Sequence, residues 1–320
     1  MGSRRSFNTK LHPEDPRQPS RLLASECLAS LILLALSVTA LVFFRPSRPG
    51  AAKALLVSFS QFLLWAAWLG LARRWRHKAI QFLRAFGPWI AVALSYGLMR
   101  YLVPLVHPTV YDQTLRACEE WLWGWDSAHF FRFMANERWT AFLCLLYLSV
   151  FAWLVAFFLY LILRRSRLFQ RAMVGLLLLY AGGFFGYMLF PAEGPRYAFA
   201  GEWDFLDGTG LIASLTNAVV SHMGSHLDVF PSLHAAFVAY LLLWQAARRP
   251  NSLVWGFPLA VGVWFSTLYL GFHYFPDFIG GWLLGVFSFY AAPLLEGKLT
   301  ALNGLLPASQ RAETPAESAA

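Results

Sequence analysis

The chain has 320 residues, of which 58% are hydrophobic and only 13% charged, and it carries a formal net charge of +9. A soluble domain is about 45–50% apolar, so this composition excludes an ordinary globular enzyme and leaves a protein built mostly within a bilayer. The positive balance does not point to nucleic acid, because the arginines and lysines lie beside long apolar stretches and form no basic domain of their own.

Residues 1–20 are polar and proline-containing and are expected to be a disordered cytoplasmic terminus. A membrane helix needs about 20 mostly apolar residues. Eight segments qualify, at roughly 23–44, 53–72, 87–106, 139–163, 170–190, 231–247, 252–271 and 276–295. The first follows Arg4, Arg5, Lys10, Arg17 and Arg21 and outruns the apolar core of a cleaved signal, about 7–15 residues, so it is expected to remain as an anchor.

Basic residues separate spans two and three (Arg73, Arg74, Arg76, Lys78, Arg84), four and five (Arg164, Arg165, Arg167, Arg171), and six and seven (Arg248, Arg249). By the positive-inside rule these loops are cytoplasmic, and an even number of spans puts both termini there. Arg45, Arg48 and Lys53 fall in the first outer loop and run against the rule. The expected fold is an all-α polytopic bundle with two accessory helices over 21–85, a six-helix core over 86–298 and a disordered tail over 299–320. Cys27, Cys118 and Cys144 have no metal or disulfide spacing.

On that topology, the loops at 107–138, 191–230 and 272–275 share the extracytoplasmic face. Two histidine motifs meet there, Phe230-Pro231-Ser232-Leu233-His234 at the start of span six and His273-Tyr274-Phe275-Pro276-Asp277 between spans seven and eight. A carboxylate four residues from an imidazole can hold one ring nitrogen and leave the other as a nucleophile, while a second histidine moves protons. First-turn amides and the positive end of a helix favour an anion, and phosphate is the natural candidate. Arg196, ending the stiff turn Pro191-Ala192-Glu193-Gly194-Pro195-Arg196, offers a guanidinium grip on phosphate oxygens.

Arg100 and Asp112, at the outer end of span three, are further candidates for substrate contact, and Ser232 either caps span six or touches phosphate. Ser232 lacks the glycine-flanked elbow of a serine nucleophile. His222 and His226, four apart and close to Asp228, have metal-ligand spacing but sit in a run of loop-forming residues without a glutamate base, so they are read as outer loop and no metal is assigned. The tryptophans at 121, 123 and 125 suit a segment lying along the interface.

These motifs resemble the type 2 phosphatidic acid phosphatase superfamily, which includes lipid phosphatases and vanadium haloperoxidases. Pro231-Ser232-Leu233-His234 looks like its Pro-Ser-Gly-His motif with leucine for glycine. Ser266, His273 and Asp277 match its Ser-Arg, five residues, His, three residues, Asp motif, except that Thr267 stands in place of the arginine. The turn from Pro191 to Arg196, with Tyr111, Asp112 and Leu115, is similar to the branch containing inositol phosphorylceramide synthases. The family's first motif, a lysine followed by Arg-Pro, is not evident.

The resemblance implies metal-independent phosphoryl chemistry without a cofactor. His273 would be the nucleophile that becomes a phosphohistidine, Asp277 its orienting carboxylate and His234 the acid and base, with Arg196, Ser232, Arg100 and Asp112 on the substrate. Its partners would be membrane lipids and a phosphorylated headgroup or lipid alcohol. Transfer of inositol phosphate to a lipid alcohol is the leading expectation. Hydrolysis of phosphatidic acid or an isoprenyl-type lipid phosphate is the enzymatic alternative, and a transporter bundle the non-enzymatic one.

Overall fold

The computed structural model describes residues 22–75, 77–124, 127–164, 166, 168–206 and 210–305, without the side chains of 221–223 and 303–305. The expected disordered stretches at 1–20 and 306–320 lie outside the described residues.

All described elements are helical. Helix α1 (Ala24–Val42) and α2 (Ala51–Ala72) form an antiparallel pair, and α3 (Lys78–Leu94) continues through a break at Ser95 into α4 (Tyr96–Val106). Short helices α5 (Asp112–Trp123) and α6 (Ser127–Arg132) lead to α7 (Glu137–Leu163), whose first turn is capped by the Asn136 carboxamide accepting from the Trp139 N–H at 2.9 Å. After α8 (Phe169–Leu189) come the one-turn α9 (Pro195–Ala198) and α10 (Leu211–Met223), then α11 (Leu233–Arg248), α12 (Leu253–Tyr269) and α13 (Phe275–Leu305).

Contacts between helix ends fix how the bundle runs. Glu26 at the start of α1 and Arg84 near the start of α3 form a buried two-point ion pair, and the Ser25 hydroxyl donates to Gln170 at the start of α8 at 2.9 Å. Arg171 meets Glu296 in the last part of α13 at 3.0 Å, and Arg249 after α11 donates to Tyr160 near the end of α7 at 2.6 Å. One end of the bundle therefore holds the start of α1, the far part of α13 and the basic residues Arg73, Arg74, Lys78, Arg84, Arg164, Arg171, Arg248 and Arg249. The other end holds both histidine motifs, together with Arg45 and Arg48 between α1 and α2 and Lys53 in the first turn of α2.

Seven helical stretches among the described residues are long and apolar enough to cross a membrane, rather than the eight expected. The difference is α11, which at 16 residues spans about 24 Å against about 30 Å of hydrocarbon. It nevertheless travels as deep as its neighbour, because α11 and α12 form a hairpin whose open end brings His234 and His273 together. Two expected boundaries move. The division at 85/86 falls inside α3, which starts at Lys78 because the polar Lys78–Arg84 turn is tied down by Glu26, and residues 299–305 are helical, extending α13 to Leu305.

Close backbone approach seats α11 against its neighbours. A Cβ on Gly186 of α8 would stand 2.1 Å from the Pro231 ring, and one on Gly281 of α13 would stand 2.3 Å from the Ser232 carbonyl oxygen. Small residues let helices in a membrane bundle touch backbone to backbone. Here they fix the first turn of α11, where His234 sits.

Candidate active site

The Ser232 hydroxyl, fully buried, accepts from the Ala235 N–H at 3.2 Å and starts α11. The Ser232 N–H in turn donates to the Asp277 carbonyl at 3.1 Å, which ties the first turn of α11 to that of α13. Between α12 and α13 the chain turns at Gly271, whose φ of +68° is favourable for glycine. There the Arg196 N–H donates to the Gly271 carbonyl at 2.8 Å. That turn carries Phe272 and His273 to the mouth of the hairpin.

The two imidazoles share one pocket, with ring centroids 6.0 Å apart. Asp277 lies behind His273, its Oδ2 3.4 Å from Nδ1, and it is wholly buried while His273 is 5% exposed. The same Oδ2 accepts from the Tyr274 N–H at 2.8 Å, so the carboxylate is aimed before any substrate arrives. With Nδ1 facing Asp277, Nε2 is the nitrogen left for chemistry. His234 stacks on Tyr147 at 4.3 Å between centroids and meets the edge of Phe151, which holds its ring plane. Its Nε2 is buried without a hydrogen-bond partner among the described residues, an expensive arrangement that makes sense where a proton must be carried.

The rest of the pocket wall includes Tyr96, Tyr147, Tyr197, Glu193, His226 and Asp228. Burial holds the Tyr197 hydroxyl above its ordinary pKa against the opposing pull of Arg196, so it stays a proton donor at neutral pH. His226 adopts a φ of +57° and packs against the edge of Tyr197. The side chain of His222, its partner in the possible metal pair, lies outside the described residues. Glu193 was visible only as part of the proline-rich turn. The tyrosines carried no motif, and nothing short of the helix packing places them beside His234.

The other expected substrate contacts are not on this wall. Thr267, in the place of the family's arginine, is buried and donates to the Trp264 carbonyl at 2.8 Å. Arg196 lies next to Gly271, outside the residues that line the pocket, and Arg100 donates to the Gly224 carbonyl at 2.7 Å from a separate cavity. Among the described residues, none lining the histidine pocket is lysine or arginine.

Asp112, 4% exposed, is taken up by the protein itself. It accepts from the Glu193 N–H at 2.9 Å, the Gly194 N–H at 2.9 Å and the Tyr274 hydroxyl at 2.9 Å, clamping the proline-rich turn to the residue after His273. Burial and the Asp112 charge both push the Tyr274 pKa up, so this hydroxyl keeps its proton. Asp112→Ala is expected to destabilise the protein by about 2–4 kcal/mol, the cost of orphaning buried donors. Thermal unfolding in detergent should show the loss, and proteolysis should cut first within 191–199.

These residues, in this order and on these helix ends, match a known pattern: the profile of the PAP2 superfamily fits residues 113–291, more than half of the chain. The chain belongs to the PAP2 superfamily. No curated protein and no solved structure matches it. The PAP2 match runs from α5 into α13 and takes in both histidines and Asp277, while α1 to α4 precede it. Membership supports a lipid phosphatase or phosphotransferase family, and the seven apolar helices among the described residues suggest a protein built into a membrane. The narrower likeness to inositol phosphorylceramide synthases goes beyond this match.

Proposed function

We propose that the protein is a metal-independent lipid phosphotransferase that works through a phosphohistidine at residue 273. The observation that carries this reading is the pair of imidazoles on one pocket, centroids 6.0 Å apart, with the Asp277 carboxylate 3.4 Å behind the one that attacks. Nε2 of His273 forms the P–N bond in line as the P–O bond to the lipid alcohol breaks, and the departing oxygen takes a proton from His234. Asp277 stabilises the positive ring. An acceptor hydroxyl then gives its proton to His234 and attacks phosphorus, and the P–N bond breaks to restore His273.

The charge of the wall favours a phosphodiester donor over a phosphomonoester. A monoester is largely dianionic at neutral pH, and the described pocket wall offers it no lysine or arginine while presenting Glu193 and Asp228. A phosphodiester carries one charge, which the tyrosine hydroxyls and imidazoles can meet. The two carboxylates are suited to accept hydrogen bonds from a hydroxyl-rich headgroup such as inositol. The site faces the extracytoplasmic side in this reading, supported by the basic residues gathered at the opposite end of the bundle.

The test is covalent trapping. Purified protein is mixed with phosphatidylinositol or phosphatidic acid, each labelled with ³²P, in the presence of a chelator, and quenched in alkaline denaturant, where a P–N bond survives and an acyl phosphate does not. Label retained from phosphatidylinositol and lost on mild acid treatment is the expected result. Label from phosphatidic acid alone would replace the diester reading with a lipid phosphate phosphatase. No acid-labile label from either lipid would overturn the phosphohistidine.

A further inference from the structure

Three cations that the catalytic pocket does not use line a second cavity at the same end of the bundle. Arg48, Lys53 and Arg100 border an open-sided space of about 420 Å³ that is also lined by Pro49, Gly50, Tyr101, Pro104 and Leu105. That volume is within the range of ligand sites, about 300–1,000 Å³. The pocket that holds the two histidines is smaller, about 40 Å³.

Among the described residues, no carboxylate lines the cavity. Its floor is the first turn of α2, which begins after Gly50 at φ +82° with no side-chain cap and no acidic residue in that turn, so the positive end of a 22-residue helix adds to the three side chains. The Lys53 ammonium sits 5.8 Å from the Tyr101 ring centroid, over the aromatic wall. Arg48 and Lys53 also break the pattern by which basic residues gather at the far end of the bundle. Arg48 and Lys53 are exposed and Arg100 is half-buried, so three positive charges border one space with no carboxylate among its described lining residues to balance them, which suits an anion.

We infer that this cavity binds the phosphate of an anionic lipid headgroup, held by Arg48, Lys53 and Arg100 between α2 and α4. A membrane lipid is the favoured source because Leu56, one turn along α2 from Lys53, and Leu41 and Val42 at the end of α1 are exposed apolar residues that would face acyl chains. The site lies outside the region matched to the PAP2 superfamily, between α2 and α4. Arg100 also joins it to the catalytic pocket, since its guanidinium donates to the carbonyl of Gly224, a residue of that pocket's wall. A headgroup here would hold a lipid within reach of the histidines.

The experiment is photocrosslinking of the full chain, in detergent, with a phosphatidic acid analogue bearing a photoreactive group beside the phosphate, followed by peptide mapping. It uses His273→Ala protein, so that its outcome is independent of turnover and of the phosphohistidine reading. Adducts are expected on peptides containing 48–53 and 100–105. Arg48→Gln with Lys53→Gln should lower their yield by about tenfold for each charge removed, whereas Arg48→Lys should retain most of it. Competition by inorganic phosphate as effective as that by unlabelled lipid would make free phosphate the ligand, and competition by lipid alone would assign the headgroup; both keep the phosphate site. Adducts confined to other segments, or a yield unchanged in the double variant with its unfolding temperature preserved, would overturn it.

Discussion

Replacing His273 with alanine is expected to lower phosphodiester turnover by about 10⁴-fold or more, because no other described group stands where the nucleophile does. In the proposed mechanism His234 is the neighbouring base, and its ring centroid lies 6.0 Å away, locked on Tyr147 by stacking. It cannot take over the attack without leaving that stack. The fold should survive, since the start of α11 is held by its backbone approach to α13 at Gly281 and by the Ser232 cap rather than by the imidazole. The check is a rate measurement on protein with an unchanged unfolding curve, together with loss of the alkali-stable label. A variant retaining a tenth of wild-type turnover would assign the nucleophile elsewhere.

The two histidine motifs were legible in the sequence because each joins a titratable pair to a helix boundary, and boundaries follow from apolar length and proline. His273 lies two residues before α13 and Asp277 in its first turn, where the carboxylate accepts from the Tyr274 N–H, so their pairing follows from the local start of that helix. What joins His234 to His273 is tertiary, and the sequence indicates it only through the expectation that both lie on one face. The roles of the polar residues were less readable for the same reason. Asp112 looks like a substrate ligand until its oxygens are seen to accept from Glu193, Gly194 and Tyr274. Arg100, read as part of the catalytic pocket, belongs to another cavity, because the break at Ser95 sets α4 against α2 as well as α8. Span six is marked by its apolar run, yet its helix begins only at Leu233, since Ser232 caps it and Pro231 precedes the cap. Glu26 and Arg84 gave no signal either, for a buried ion pair 58 residues apart in sequence follows neither period nor motif.

His234→Gln separates the two halves of the reaction. Glutamine can hydrogen-bond but cannot give up or take a proton, so transfer from a lipid alcohol is expected to slow by about 10²–10⁴-fold, the usual share of a general acid or base. A nitrophenyl phosphodiester changes the balance, because nitrophenolate departs without being protonated. With that substrate the first step needs only His273 and should proceed near its normal rate, whereas the second still needs a base to deprotonate the acceptor. The expected result is a burst of about one equivalent of nitrophenolate per protein, followed by a slow steady phase in which the phosphoenzyme accumulates. Wild-type protein, which in the proposed mechanism resolves the intermediate through His234, should show a smaller burst or none. If the variant loses both leaving groups equally and shows no burst, His234 acts on the first step by holding the phosphoryl group rather than by moving a proton. Its buried, unbonded Nε2 would then be a binding donor awaiting an oxygen of the substrate.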